Sequence, residues 1–399
     1  MNSTTQPWRR DPKNPGAPII PRGEWDFPPY HRWTFQHVRE MVPTAQIWRG
    51  PGPVLPLPER KRDIDGVSFE TRAGRRTVPQ WLDECATDGF LVLSHGAVID
   101  ERYMNGLKPY RQHLAMSVSK SVTSAVFGIL VERGLIDPEA PVTQYLPELE
   151  ATGYRGAKVQ HVLDMTSGVL FDESYTTPGS HMQKLGQACG WFDATEPTWP
   201  MTVWQLILEL TEQERPHGQL FQYRSIETDV LAFIMQRVTG KHLADLISEE
   251  LWVPMGAEDD AYITLDRGGY ALADGGFNAT LRDFARFALL LLNGGKAHGK
   301  QIVPKAWIDS FNGSADHEVF GNERQGALPN GAYHNQFWIE APDSPVFMCF
   351  GIFGQYLYMD PEAEFAMIKL STDAEPVNED RTFDMLAAAH ALREFCKTA

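Results

Sequence analysis

The hydrophobic positions of this 399-residue chain follow two different periods. Short apolar runs predict strands near both ends of the chain: a hairpin at 89–103 that turns at His95-Gly96, and four strands at 336–340, 346–352, 355–360 and 364–371. Between them, helical spacing predicts helices, which are 158–167, 202–210, 225–240 and 280–295, with a last helix at 380–396. Strands at both ends and helices between them predict one sheet closed by both ends, with an inserted helical lobe.

The segment 114–131 is apolar on nearly every face, which predicts a buried helix that ends at Gly134. It contains Lys120, although lysine is among the residues least often buried. Ser117 lies three residues earlier and so shares its helix face. Burial is expected to lower the pKa of Lys120 and to make it a base for the Ser117 hydroxyl. The alternative, a surface helix with both residues solvated, is disfavoured by the apolar surroundings.

The first 60 residues differ from the rest because proline and glycine interrupt them repeatedly. Their aromatic residues favour an extended arm packed on the body over a disordered tail: Trp25, Phe27, Tyr30, Trp33 and Phe35. The predicted division is an N-terminal arm over 1–66, an α/β region over 67–170 and 266–399, and a helical lobe over 171–265.

Composition and charge limit the classes of binding partner that this protein can have. The formal net charge of −16 argues against nucleic acid and anionic membranes, and no apolar run reaches membrane-spanning length. The N-terminus lacks the apolar core of a secretion signal, and four scattered cysteines indicate free thiols, so we expect a cytoplasmic protein. The histidines and cysteines show no metal-binding spacing, and we expect a small-molecule substrate with no metal or cofactor. A homodimer remains open.

Two further segments carry candidate chemistry. Tyr223 and Ser225 directly precede a strong helix, and the alternative for this tyrosine is simple packing. Gly351 and Gly354 lie in a strand-like run, where glycine often marks close approach of the backbone to a ligand; the alternative is a β-bulge. A Ser-His-Asp triad also stays open, but Lys120 makes it unnecessary.

Taken in order, three motifs resemble the serine β-lactamase-like hydrolases: Ser117-x-x-Lys120, Tyr223-x-Ser225 and Gly351-Ile352-Phe353-Gly354-Gln355. That family includes class C β-lactamases, penicillin-binding D-peptidases, family VIII esterases and 6-aminohexanoate-dimer (nylon oligomer) hydrolases. The resemblance spans about residues 30–395 and is nearest to the nylon oligomer hydrolases, supported by the stretch 171–175. It implies an α/β fold of the β-lactamase/D-peptidase type, in which helices flank an antiparallel sheet and a mainly helical lobe is inserted.

The resemblance also implies roles for individual residues. Ser117 would be the acylated nucleophile, Lys120 would hold or take its proton, and Tyr223 would share the relay and protonate the leaving group. The backbone N–H groups of Ser117 and Ile352 would form the oxyanion hole. Tyr175 would line the cleft and hydrogen-bond the scissile nitrogen. The other implied substrate contacts are Ser225, Asp274, Gly351 and Phe353.

This chain departs from the family pattern at two places. Cys349-Phe350-Gly351 stands where a Lys-Thr-Gly triad would fall, so no cation awaits a β-lactam carboxylate. Asp274 takes a position that is asparagine in the nylon oligomer hydrolases, which alters the charge of the pocket. The sequence therefore predicts a serine hydrolase that cleaves a small ester or amide through an acyl-enzyme. The alternatives are an acyltransferase on the same fold and a catalytically silent binding protein.

Overall fold

The computed structural model describes residues 20–321 and 327–397. Residues 1–19 of the predicted arm therefore lie outside the described part. Its strands are β1 Thr44–Ile47, β2 Ser68–Thr71, β3 Gly74–Thr77, β4 Thr87–Ser94, β5 Ala97–Tyr103, β6 His113–Leu114, β7 Ala261–Thr264, β8 Phe277–Ala279, β9 Lys296–Ala297, β10 Lys300–Gln301, β11 Ala332–His334, β12 Phe337–Ile339, β13 Phe347–Gly351, β14 Gln355–Asp360 and β15 Phe365–Ser371.

The helices lie mostly between the two groups of strands. They are α1 His31–Thr34, α2 Val78–Glu84, α3 Val118–Glu132, α4 Val142–Tyr145, α5 Val159–Leu163, α6 His181–Ala188, α7 Val203–Glu209, α8 Ile226–Thr239, α9 Leu243–Ile247, α10 Val253–Met255, α11 Leu281–Leu292, α12 Lys305–Gly313, α13 His317–Phe320 and α14 Glu379–Lys397. None of these described helices combines the length and the hydropathy that a membrane crossing requires.

A seven-stranded antiparallel sheet forms the body, in the order β11-β12-β13-β14-β15-β4-β5. The predicted hairpin is β4–β5, and β15 pairs with β4 so that both ends of the chain close one sheet. Alternate residues of β4 enter two separate cores: Leu91 and Leu93 face one, Phe90 and Val92 the other. Helices cover both faces, which explains why this strand is apolar throughout rather than alternating. The predicted sheet is confirmed.

The predicted buried helix is α3, and it occupies the centre of the molecule. It packs against α8, α9 and β13, and thirteen of its fifteen residues are buried. Gly134, which follows the helix with a φ of +70°, supplies the left-handed conformation that stops it. Because packing surrounds this helix, any polar side chain on it must find its partners inside the protein.

A second sheet, β1-β7-β8-β6, was not predicted from the sequence. Its strands have only two to four residues each and leave little periodicity to detect. It incorporates the arm through β1, and the arm's Trp25 and Phe35 are fully buried, as expected. β6 ends three residues before Ser117, so this sheet delivers the chain to the start of α3.

The inserted segment contributes α6 to α10, which supports a helical lobe, although the boundaries at residues 66, 170 and 265 stay predictions. All four cysteines are buried free thiols, in agreement with the expectation from their spacing.

Candidate active site

Ser117 lies at the junction between β6 and α3. It is the residue immediately before the helix, where backbone N–H groups have no partner within the helix. Met116 just before it has a φ of +48°, a conformation that is costly for a side chain of this size. The surrounding packing holds this strained turn, which leaves Ser117 partly exposed while both of its neighbours are buried.

Lys120 reaches Ser117 as the helix spacing predicted. Its Nζ lies 2.9 Å from Ser117 Oγ, 3.2 Å from Ser225 Oγ and 2.7 Å from the carbonyl oxygen of Asp274. The side chain is only 1% exposed, so these oxygens replace water around the amine. Three acceptors match the three N–H donors of an ammonium group.

The prediction that burial lowers the pKa of Lys120 is wrong. Burial does lower it, but Tyr223, Asp274 and Glu173 surround the amine and together raise its pKa above the ordinary value. Their effect depends on contacts between distant segments, which the apolar pattern of one helix does not reveal. The raised pKa therefore favours the protonated ammonium form of Lys120 over the neutral amine.

Tyr223 completes the group around the nucleophile. Its hydroxyl is hydrogen-bonded to the side chains of both Ser117 and Lys120. Its ring stacks on Trp338, with centroids 5.5 Å apart and planes 16° from parallel. Burial raises the pKa of the phenol, whereas the hydrogen bonds from Lys120 and Ser117 lower it. The phenol can thus exchange a proton with Ser117 while Lys120 stabilises negative charge on the phenol oxygen.

Glu173 is a site residue that the sequence analysis missed. Its Oε1 accepts hydrogen bonds from Ser225 Oγ at 2.6 Å and from Tyr175 Oη at 3.0 Å, and its Oε2 accepts from the Ser225 N–H at 2.9 Å. Burial raises the pKa of this carboxyl to about 7, against the lowering effect of Lys120. A signal was present, because Glu173 lies two residues before Tyr175 within the stretch 171–175 that supports the family resemblance.

The turn after β13 holds the second predicted oxyanion donor, Ile352. A Cβ at Gly351 would lie 2.5 Å from the carbonyl oxygen of Ala115. Only glycine therefore lets β13 approach the segment that precedes Ser117 this closely. The fully buried Gln355 clamps the turn: its Nε2 donates to the carbonyls of Ile352 and Phe353, both at 3.1 Å. This fixed backbone is what an oxyanion hole requires.

Phe353 does not contact substrate space, contrary to the prediction. Its ring is fully buried and packs edge-on against the arm's Phe27 and Phe35. A φ of +61° turns the side chain away from the cleft, a reversal that the sequence pattern does not encode. Phe353 therefore anchors the turn to the arm, and Ile352 is the neighbour that faces the cavities.

Two cavities meet at Ser117, Tyr175 and Ile352. The first is mainly apolar, and Ser225 and Asp274 line it together with the arm's Asp26. The second contains Glu173 and Tyr223 and has a wall that includes Gly351. No lysine or arginine lines either cavity in the described ranges. A substrate can thus place one half in each cavity, with its scissile bond at Ser117.

Asp274 and Asp26 give the first cavity its acidic character. Each carboxyl has a buried Oδ1 that finds no hydrogen-bond partner within residues 20–321 and 327–397. Burial raises the pKa of both groups, to about 7 for Asp26. The structure therefore brings together the predicted site residues with the exception of Phe353, and it adds Glu173 and Asp26.

The fold and this site define a class. The beta-lactamase family model matches residues 83–392, and the chain belongs to this family as a serine hydrolase of the superfamily. It is 36% identical over 362 residues to the 6-aminohexanoate-dimer hydrolase of Paenarthrobacter ureafaciens, with 90% of each chain covered. The predicted family and fold are confirmed.

Solved structures agree. A candidate 6-aminohexanoate-dimer hydrolase from Bacillus anthracis superposes with a TM-score of 0.84 at 30% identity, covering 95% of this chain and 97% of that one. A hydrolase with promiscuous acyltransferase activity has a TM-score of 0.61 at 18% identity, covering 79% of this chain and 96% of that one. The second likeness shows the shared fold alone.

Proposed function

We propose that this protein hydrolyses small esters and amides through an acyl-enzyme on Ser117. The observation that carries the proposal is the position of Ser117 Oγ, 2.9 Å from a buried ammonium, at a helix start and open to two cavities. The Tyr223–Lys120 pair accepts the Ser117 proton in its phenolate–ammonium form: the proton passes to the Tyr223 oxygen as the Ser117 oxygen attacks the substrate carbonyl. The N–H groups of Ser117 and Ile352 stabilise the resulting oxyanion, an effect of about 3 kcal/mol per donor in other enzymes.

Breakdown of the tetrahedral intermediate releases the alcohol or amine and leaves an ester on Ser117. Water then attacks this ester and gives a proton to Tyr223. As the acid is released, Tyr223 passes that proton to Ser117 Oγ and so restores the hydroxyl. The relative from Paenarthrobacter ureafaciens is named for an amide substrate, which supports amide cleavage here. The lack of lysine and arginine among the described residues that line the cavities supports weak or no β-lactam hydrolysis.

Labelling with a fluorophosphonate tests this proposal. We expect a covalent adduct on the peptide that contains Ser117, and no adduct after Ser117→Ala. A protein that binds the reagent reversibly but forms no adduct would be a silent binding protein, which contradicts the proposal. Adding methanol during turnover of a p-nitrophenyl ester then separates the reactions: hydrolysis yields mainly the acid, whereas an acyltransferase yields mainly the methyl ester.

A further inference from the structure

An unbroken row of hydrogen-bonded atoms runs from the nucleophile to the rim of the cleft. Lys120 Nζ is 2.9 Å from Ser117 Oγ and 3.2 Å from Ser225 Oγ. Ser225 Oγ is in turn 2.6 Å from Glu173 Oε1, and that same oxygen is 3.0 Å from Tyr175 Oη. Tyr175 lines both cavities beside Ser117, so the row ends where a leaving group would lie.

The donors in this row are ordered. Lys120 donates to Ser225, and Ser225 donates its own hydroxyl proton to Glu173. Tyr175 also donates to Glu173 Oε1, so this one carboxylate oxygen accepts hydrogen bonds from both Ser225 and Tyr175. The Ser225 backbone N–H, which bonds Glu173 Oε2, fixes the carboxylate in this position. A row of this kind can pass a proton from Lys120 to Glu173 without any heavy atom moving. The Tyr175 O–H then turns from Glu173 toward the cavity, which is a movement of the hydrogen alone, and completes the path.

We propose that Lys120, Ser225, Glu173 and Tyr175 form a proton route that protonates the leaving group, separate from the Tyr223 hydroxyl. Lys120 gives a proton to Ser225, whose own proton moves to Glu173 Oε1. The Tyr175 proton passes to the leaving oxygen or nitrogen, and Tyr175 takes the proton held by Glu173. Lys120 regains its proton from Ser117 through Tyr223. One proton thus moves from Ser117 to the leaving group, and every carrier ends as it began.

The surroundings of Glu173 suit this role. The carboxyl is half-buried and lines the second cavity, so bulk water does not surround the whole row. Its pKa of about 7, raised by burial, allows it to take up and release a proton near neutral pH. A carboxylate that only supported the backbone would not need to share one oxygen between Ser225 and Tyr175.

This inference rests on the proposed acyl-enzyme, and two esters of one acid test it. Ethyl butyrate and p-nitrophenyl butyrate form the same butyryl-enzyme, but only the ethoxide leaving group needs a proton. We expect Glu173→Gln and Ser225→Ala each to lower kcat/KM for ethyl butyrate about 100-fold and for the p-nitrophenyl ester by a much smaller factor. The double variant should lose no more than either single variant, because each breaks the same row.

Asp172→Asn is the matched control, since it removes an exposed carboxylate next to Glu173 and should leave both kcat/KM values within about twofold. Equal losses on the two esters would overturn the route and make Glu173 and Ser225 supporting residues only. A selective loss in Asp172→Asn would also overturn it, as would a wild type that cleaves only the p-nitrophenyl ester. Failure of the fluorophosphonate to label Ser117 would refute the proposed function itself.

A measurement on the wild type avoids any effect of the substitutions on folding. If several protons move together, kcat/KM for ethyl butyrate should fall along a curve as the deuterium fraction of the solvent rises. The p-nitrophenyl ester should give a shallower, nearly linear decrease. A straight line of the same slope for both esters would contradict the route.

Discussion

Within residues 20–321 and 327–397, two fully buried lysines each bond a nearby serine, and only one of these pairs lies in the candidate active site. Lys120 bonds Ser117 one turn away on α3, and Lys369 bonds Ser371 two residues away on β15. Both lysines are at most 1% exposed. Burial and contact with a serine hydroxyl therefore do not distinguish a catalytic pair from a structural one.

The difference lies in what surrounds each pair. Ser117 stands at a helix start, touches Tyr223 and opens onto two cavities. Ser371 is fully buried within the main sheet, and the Trp81 and Tyr356 rings lie 5.7 and 5.6 Å from the Lys369 amine. Lys369, together with Arg381 and Arg32, instead lowers the pKa of the buried Asp373 against the raising effect of burial. The Ser117–Lys120 pair thus differs from the Lys369–Ser371 pair in two ways: its serine is open to the cavities, and that serine contacts a tyrosine that can exchange its proton.

The largest expected effect comes from removing the two serine hydroxyls in turn. Ser117→Ala should lower kcat for ester hydrolysis by at least about 10⁴-fold, because no other oxygen is placed to attack. Ser371→Ala should change kcat less than about threefold, since that hydroxyl contacts no cavity. Steady-state assays with p-nitrophenyl butyrate measure both. Comparable losses would mean that the two pairs do not differ as described.

The relay around Ser117 gives the next largest effect. Lys120→Ala and Tyr223→Phe should each reduce kcat by about 10³-fold, and the double variant should lose little more, because one proton path requires both groups. Circular dichroism of each variant checks that the fold is retained. If the two losses instead multiply, Lys120 and Tyr223 act independently.

Replacing Lys369 should lower the stability of the protein and leave its catalytic rate nearly unchanged. Lys369→Met removes one of the cations that lower the pKa of Asp373 and also removes the hydrogen bond to Ser371, and we expect the free energy of unfolding to fall by about 2 kcal/mol. The matched Lys120→Met should lose less stability, since Glu173, with its pKa of about 7, can become neutral. Urea denaturation measures both values. A larger loss in Lys120→Met would reverse the assignment of roles.

The smallest expected effect is a pH dependence. Burial raises the pKa of Glu173 from 4.5 to about 7, so the folded protein holds a proton that the unfolded chain has already released. This contribution to stability is complete below pH 4.5 and is lost as the pH rises through 7. Relative to Glu173→Gln, the wild type should therefore lose about 1–3 kcal/mol between pH 4.5 and 8, as measured by urea denaturation at each pH. Parallel curves for the two proteins would refute this shift.

Local sequence patterns were sufficient for the main elements and for the contact between Ser117 and Lys120. The apolar run around Ser117 and Lys120 predicted both a buried helix and the contact between these two side chains, because residue spacing along one helix determines both. Tyr223 and Ile352 depended on family resemblance, since no short-range pattern links them to Ser117.

Properties set by distant segments could not be predicted in the same way. The pKa of Lys120 depends on Glu173 and Asp274, which approach it from other parts of the chain. The orientation of Phe353 depends on its backbone conformation and on the arm's aromatic rings. The four-stranded sheet was not predicted, because its strands are too short to show a hydrophobic periodicity.

The packing of the turn after β13 against the N-terminal arm has a consequence for synthesis on the ribosome. Arm residues Phe27 and Phe35 pack against Phe353, and the His31 Nε2 atom lies 2.7 Å from the carbonyl oxygen of Asp373, 342 residues away. The arm is synthesised long before these partners. A nascent chain therefore cannot pack Phe353 and its turn onto the arm until the segment around Asp373 has emerged, so this part of the candidate site is completed late in translation.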